Sequence, residues 1–198
     1  MSAILYLEGG GDSKELHARC REGFRRLLER CGFQGRMPRL VACGGRDMTF
    51  SDFNFAHAGG IADFVAMWID SEDLLGELEA TWAHLKARDD WNQSAGSTDE
   101  LVLFMTTCME TWLVADGAAL REHFGSQLQD SALPPLHDLE KRGCHDVQGK
   151  LTHATRNCPN AYAKGKRSFE VLGKLTPAVL EQHLPSFVRI RRILNARL

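Results

Sequence analysis

The 198-residue sequence lacks any apolar run that approaches the length of a membrane-spanning helix, and its apolar start reaches Glu8 too soon to form a signal peptide. We therefore expect a cytoplasmic protein with no membrane partner. Internal repeats and low-complexity segments are also lacking, so the chain is not a repeat array.

The sequence also lacks a Cys-x-x-Cys pair, and we expect its thiols to be reduced and to serve mostly as packing groups. The cysteines are Cys20, Cys31, Cys43, Cys108, Cys144 and Cys158. A Cys/His-rich tract formed by Cys144, His145, His153 and Cys158 matches no regular zinc finger, which argues against a structural zinc site. Ser13 and Ser71 have no evident histidine base, which argues against a serine hydrolase.

The chain has little net charge, −2, but its charges are unevenly distributed. Residues 1–140 contain 12 Lys/Arg against 23 Asp/Glu, whereas residues 141–198 contain 12 against 3. This division suggests a basic surface facing nucleic acid or an acidic protein, beside an acidic region able to hold metal. The alternative is two solvated faces that neutralise each other within the fold.

Hydrophobic residues make up 43% of the chain and charged residues 25%, which is typical of a globular protein with one core. Apolar runs predict strands at residues 3–7, 39–43, 63–69 and 101–107. Helical patterns separate them at residues 13–31, 47–58, 74–85 and 109–120. Such alternation predicts an α/β, Rossmann-like fold: a mainly parallel four-stranded sheet with helices on both faces.

The alternation stops near Gly125, and residues 126–165 are hard to assign. Helical signals return after Ser168, at Thr176-Pro177 and around Phe187. We therefore expect an α/β core over residues 1–125 and a basic, mostly helical extension over residues 126–198, packed on the core.

Three predicted strands are followed by acidic residues, namely Glu8, the segment from Asp70 to Asp73, and Glu110. Ligands of parallel sheets bind beyond the carboxyl ends of the strands, so these carboxylates can converge on a hard cation such as Mg²⁺. Residues 9–11 are the glycines Gly9, Gly10 and Gly11, whose backbone N–H groups precede a helix and can bind phosphate.

A competing interpretation is that these acids cap the helices that follow them. Asp12, Asp70 and Asp73 all suit helix capping, and Glu110 suits the first turn of a helix.

Basic residues provide candidate phosphate ligands. Arg46 follows the second strand and either clamps a phosphate or forms a surface salt bridge. Lys164, Lys166 and Arg167 lie beside Tyr162 and Phe169 in the sequence, where they suit a nucleic-acid backbone, although Phe169 is better explained as a core residue.

The stretches at residues 7–12, 69–73, 108–112 and 162–169 resemble a known pattern. A strand ending in Glu and glycines, followed later by a strand ending in closely spaced acids, is similar to the Toprim fold of topoisomerases, primases and overcoming-lysogenization-defect nucleases. The whole chain resembles a bacterial Toprim-like family catalogued only as a domain of unknown function and often encoded beside an ATPase.

This resemblance implies a Mg²⁺- or Mn²⁺-dependent phosphodiester-cleaving nuclease subunit, acting with an ATPase partner in bacterial defence or nucleic-acid processing. Glu8 would be the Toprim glutamate, a general acid/base or metal ligand, and Asp70 the first aspartate of the metal-binding pair. Toprim domains place the second aspartate two residues on, where this chain has Glu72, with Asp73 next. Glu8, Asp70, Glu72 and Asp73 are therefore the candidate metal ligands, and all but Glu72 are candidate catalytic residues.

Two other functions remain open at this point. The first is a non-catalytic adaptor that keeps the Toprim core to bind an ATPase partner, DNA or RNA. The second is a small nucleotide- or phosphate-binding enzyme that uses the glycine turn.

Overall fold

A computed structural model describes residues 2–198. Four parallel strands form one sheet in the order β2-β1-β3-β4. They are β1 Ala3–Glu8, β2 Arg39–Gly44, β3 Phe64–Asp70 and β4 Val102–Met105. The predicted α/β fold with a parallel four-stranded sheet is thus confirmed.

The apolar strand sequences place the sheet between two layers of helices. Every residue of β3 is buried, as expected for a central parallel strand covered on both faces. In β1, Leu5 and Leu7 belong to one apolar cluster, and Ile4 and Tyr6 belong to the other. Successive side chains of a strand point to opposite faces, so the alternating clusters define the two sides of the sheet.

The helices among residues 2–198 surround this sheet. They are α1 Lys14–Arg30, α2 Arg46–Ala58, α3 Thr81–Asp89, α4 Met109–Ala115, α5 Gly117–Phe124, α6 Cys144–Thr155, α7 Lys166–Leu172, α8 Pro177–His183 and α9 Pro185–Arg197. Helices α2 and α3 pack on one face, and α1 packs on the other with the helices that follow β4. None of these helices combines the length and apolar character required to cross a bilayer.

The predicted helix over residues 74–85 is wrong in its first half. Residues 71–80 are irregular, and α3 begins only at Thr81. The Ser71 N–H donates to the Met105 carbonyl, and the Glu72 N–H donates to the Thr107 carbonyl. The chain after β3 therefore bonds to the end of β4, and Glu72 has a left-handed φ of 63° that interrupts helical geometry.

The helix predicted over residues 109–120 is two helices, α4 and α5, separated at Asp116. The Asp116 carboxylate accepts from the Ala119 N–H at 3.0 Å and from the Thr176 N–H at 2.8 Å. Because Asp116 caps the N-terminus of α5 and bonds to the segment before α8, a tertiary contact fixes this break.

The segment after residue 125 contributes four α-helices that pack against the rest of the chain. Arg189 of α9 is buried and donates to the carbonyls of Val102 and Asp99 at 2.9 and 2.7 Å. Lys174 pairs with Glu122, and Arg192 pairs with Glu79, both at 2.8 Å. In these pairs, acidic residues within 1–140 neutralise part of the positive charge of residues 141–198. For the residues involved, this supports the alternative that the two charged regions neutralise each other within the fold.

Candidate functional site

Glu8 and Asp70 are the last residues of the neighbouring strands β1 and β3. The Asp70 N–H donates to Glu8 Oε2 at 3.0 Å, so the two residues are joined at the carboxyl edge of the sheet. Both line a cavity of about 330 Å³. Gly10, Glu110 and Lys164 line the same cavity, so the sheet edge brings two predicted metal ligands together with two predicted phosphate ligands.

The Asp70 carboxyl group is buried without adequate compensation. Asp70 is only 8% exposed, and its Oδ1 atom is buried with no hydrogen-bond partner among residues 2–198. Burial raises the pKa of Asp70 well above its ordinary value, and the nearby carboxylates of Glu8 and Glu110 raise it further. An ionised carboxylate here requires a cation, because a buried unpaired charge is costly.

The Glu8 carboxyl group is half-buried, with a side chain 17% exposed, and it is better compensated. Burial raises the pKa of Glu8, while the Arg46 guanidinium, 3.5 Å away, and the Asp70 N–H act in the opposite direction. Two neighbouring carboxyl groups with raised pKa values share one cavity, an arrangement typical of catalytic or cation-binding sites.

The raised pKa of Asp70 predicts a distinctive pH dependence of stability. As pH rises from the ordinary carboxyl range through the raised pKa, ionisation should destabilise the parent relative to Asp70→Asn. Chemical denaturation of both proteins in EDTA across this range tests the expectation, and excess Mn²⁺ should reduce the difference.

Asp63→Asn serves as a control, because the effect of Asp63 on stability should have the opposite pH dependence. Hydrogen bonds from Ser2 lower the pKa of Asp63, so Asp63 stabilises the fold at pH values above its ordinary pKa, and this stability is lost as pH falls through the lowered pKa. Stability curves of the parent and Asp70→Asn that stay parallel over the whole pH range would contradict the buried-carboxylate interpretation.

Arg46 bridges the two strand ends. It donates to the Asp70 carbonyl at 2.5 Å, pairs with Asp89 at 2.8 Å, and lies over the Trp91 ring at 5.2 Å. The Arg46 side chain is only 13% exposed, so its ion pairs are not surface salt bridges. These contacts occupy the guanidinium and hold Glu8 in place.

The three glycines after Glu8 form a tight loop with φ angles of 129°, 95° and 49°. A Cβ atom at Gly10 would lie 2.6 Å from His17 Cδ2, which explains why no larger residue fits there. The Gly9 N–H bonds to the Gly44 carbonyl at 2.8 Å. The N–H groups of Gly10 and Gly11 make no hydrogen bond within residues 2–198, so these two amides are available to a ligand.

Glu110 lies in the first turn of α4, as expected, but it also forms part of the site. It is 1% exposed and accepts hydrogen bonds from Tyr162 Oη and from Gln148 Nε2, the latter at 3.1 Å. Glu110 is not among the candidate ligands predicted from the sequence, although its position after the fourth strand already placed it at this edge of the sheet.

Lys164 is the basic residue that faces these acids. Lys164 is exposed to solvent, so partial desolvation opposes its charge only in part, and the carboxylates of Glu110, Asp70 and Glu72 raise the pKa of Lys164 above its ordinary value. Lys164 therefore places a persistent positive charge in the cavity that contains Asp70.

The remaining predicted ligands lie outside the cavity lining. Asp73 is exposed and pairs with Arg88 at 3.1 Å, and Glu72 is half-exposed. Lys166 is exposed in the first turn of α7, where Arg167 pairs with Glu170 at 3.0 Å. Of the closely spaced acids at the end of β3, namely Asp70, Glu72 and Asp73, Asp70 is the one that lines the cavity.

The helix-capping interpretation of the acids is wrong for three of its residues. No helix begins within residues 71–80, so neither Asp70 nor Asp73 caps one. Ser13, and not Asp12, caps α1 by accepting from the Leu16 N–H at 3.4 Å. The burial of Asp70 thus needs an explanation other than local helix stability.

Comparison with known proteins identifies the family but not the activity. No curated protein matches the chain, and no solved structure matches it. A family model described as "Domain of unknown function (DUF4276)" matches residues 7–195, which include every candidate site residue. The chain therefore belongs to the DUF4276 family.

Proposed function

We propose that this protein is a Toprim-like nuclease subunit that cleaves phosphodiester bonds with the help of Mg²⁺ or Mn²⁺ and acts with an ATPase partner. The observation that carries the proposal is the buried, unpartnered Asp70 Oδ1 beside Glu8 in a cavity at the carboxyl edge of the sheet. The Toprim resemblance of residues 7–12 and 69–73 supplies the reaction class.

The chemistry of Glu8 and Asp70 fits a hard divalent cation. Mg²⁺ prefers oxygen ligands and is usually held by one or two carboxylates, with waters and substrate phosphates completing its shell. The unpartnered Asp70 Oδ1 provides one such ligand, and the Glu8 carboxylate provides a second. Asp73 pairs with Arg88 outside the cavity, so Glu8 and Asp70 are the proposed ligands.

A cation held there would supply Lewis acidity to a bound phosphate. The chain's own groups perform the other tasks. Glu8, which lines the cavity beside Asp70, would accept a proton from the attacking water at the carboxylate oxygen that does not hold the cation. The free amides of Gly10 and Gly11 and the Lys164 ammonium bind phosphate oxygens, while Arg46 holds Glu8 in position.

The direct test is cleavage of simple phosphodiesters by the isolated chain. Bis(p-nitrophenyl) phosphate, single-stranded DNA and RNA are each incubated with the protein in Mn²⁺, in Mg²⁺ and in EDTA. We expect products in at least one cation and none in EDTA. Absence of cleavage together with absence of cation binding would favour the non-catalytic adaptor.

Nucleic-acid binding should depend on the two lysines that flank Gly165. We expect Lys164→Ala with Lys166→Ala to weaken binding to single-stranded DNA and to lower the slope of log K against log salt by about 0.7 per lost phosphate contact. Fluorescence anisotropy at several salt concentrations measures this slope.

The matched control is the double variant Lys141→Ala with Lys150→Ala, which removes two basic residues of the same extension that pair with nearby acids. It should leave the slope unchanged. Equal slopes for the parent and both variants would mean that the 164–166 segment faces protein instead of nucleic acid.

A further inference from the structure

Two thiols and a carboxyl group lie together at the N-termini of α4 and α6. Cys108 directly precedes α4, Glu110 is in its first turn, and Cys144 is the first residue of α6. One ligand atom from each residue lies within 4.8 Å of the other two, and within residues 2–198 no other group of three Cys, His, Asp or Glu side chains meets this criterion.

We propose that Cys108, Glu110 and Cys144 bind a thiophilic divalent cation of the Zn²⁺ class, at a site separate from the one at Glu8 and Asp70. Zn²⁺ accepts both thiolate sulfur and carboxylate oxygen as ligands, whereas Mg²⁺ does not favour sulfur ligands. The donor set therefore selects a different cation from the one proposed for the two carboxylates.

The surroundings of Glu110 orient it as a ligand. Its two oxygens accept hydrogen bonds from Tyr162 Oη and Gln148 Nε2. A carboxylate oxygen that accepts one hydrogen bond keeps a second lone pair for a cation. Hydrogen bonds of this kind fix the direction of metal-binding carboxylates and raise affinity.

The site also has an opening toward the cavity. Glu110 lines the cavity, while Cys108 is fully buried. Three protein ligands leave the fourth position of a tetrahedral cation for water or another oxygen ligand, as in zinc sites that take part in chemistry. The inference rests on the three side chains and stands whether or not the chain cleaves phosphodiesters.

The test is titration of the reduced, metal-free protein with Co²⁺ and then with Zn²⁺. We expect one equivalent of Co²⁺ to produce the near-ultraviolet absorption of thiolate-bound cobalt, and Zn²⁺ to displace it. Cys108→Ser and Cys144→Ser should each remove that absorption. Cys158→Ser, which alters another buried cysteine, and Asp70→Asn should retain it.

Tyr162→Phe provides a milder variant that keeps all three ligands. It should weaken Zn²⁺ binding by about 10- to 100-fold, the usual effect of removing a hydrogen bond to a ligand. Because Cys108 is fully buried, alkylation of the parent is compared in EDTA and in Zn²⁺ at a urea concentration that makes its thiols reactive. Zn²⁺ should slow alkylation at Cys108 and Cys144 more than at Cys158, as read by mass spectrometry. An equal effect of Zn²⁺ on all three thiols, or a cobalt spectrum that survives in both Cys→Ser variants, would overturn the proposal.

Discussion

Asp70→Asn is expected to reduce cation-dependent cleavage by about 100-fold or more, the loss typical when one strong electrostatic contact to a transition state is removed. Asparagine keeps the size of the side chain but removes the charge that holds the cation. It also relieves repulsion with Glu8 and Glu110, so the metal-free variant should be no less stable than the parent. Cleavage assays and thermal unfolding with and without Mn²⁺ measure both effects.

Asp73→Asn is the matched control for this change. Asp73 belongs to the same run of acids but is exposed and pairs with Arg88. We expect Asp73→Asn to retain most of the activity and the full increase in melting temperature with Mn²⁺. If Asp73→Asn abolishes activity and Asp70→Asn does not, the assignment of the cation to Glu8 and Asp70 is wrong.

Gly23→Ala is expected to have the largest effect on stability. Gly23 lies within α1 where α7 crosses it, and an added Cβ atom would lie 2.6 Å from the Phe169 carbonyl oxygen. Because this neighbour is backbone, α7 must move, and we expect a loss of about 1–3 kcal/mol of unfolding free energy. Chemical denaturation gives this value.

Gly149→Ala makes the same chemical change in α6, where an added Cβ atom has no neighbour within 4 Å. It should stabilise the protein by about 0.5–1 kcal/mol, because alanine favours a helix interior. Since α7 carries Ser168 and Phe169 of the cavity wall, Gly23→Ala should also weaken Mn²⁺ binding. Equal stability of the two variants would contradict the close packing of α7 on α1.

The sheet could be predicted because its strands are short apolar runs bounded by glycine or acidic residues. The run through residues 63–69 corresponds closely to β3, whose burial on both faces explains its unbroken hydrophobicity. The position of Glu8 and Asp70 followed from the same pattern, since parallel strands place their carboxyl ends at one edge.

The parts that were missed depend on contacts between distant residues. Residues 71–80 have helical spacing of apolar side chains, yet their first residues bond to the end of β4. Cys144 begins a helix in a segment with no clear sequence pattern, so its proximity to Cys108 and Glu110 was not predictable. The lack of a hydrogen-bond partner for Asp70 Oδ1 likewise depends on the packed structure and not on the local sequence.

Calorimetric titration of the metal-free protein with Mn²⁺ measures whether Glu8 and Asp70 bind a divalent cation. Binding at Cys108 and Cys144 is excluded by performing the titration on Cys144→Ser as well as on the parent. We expect one Mn²⁺ equivalent to bind to both proteins, and we expect this binding to be lost in Glu8→Gln and in Asp70→Asn. Absence of Mn²⁺ binding to the parent, or binding that both carboxylate variants retain, would contradict it.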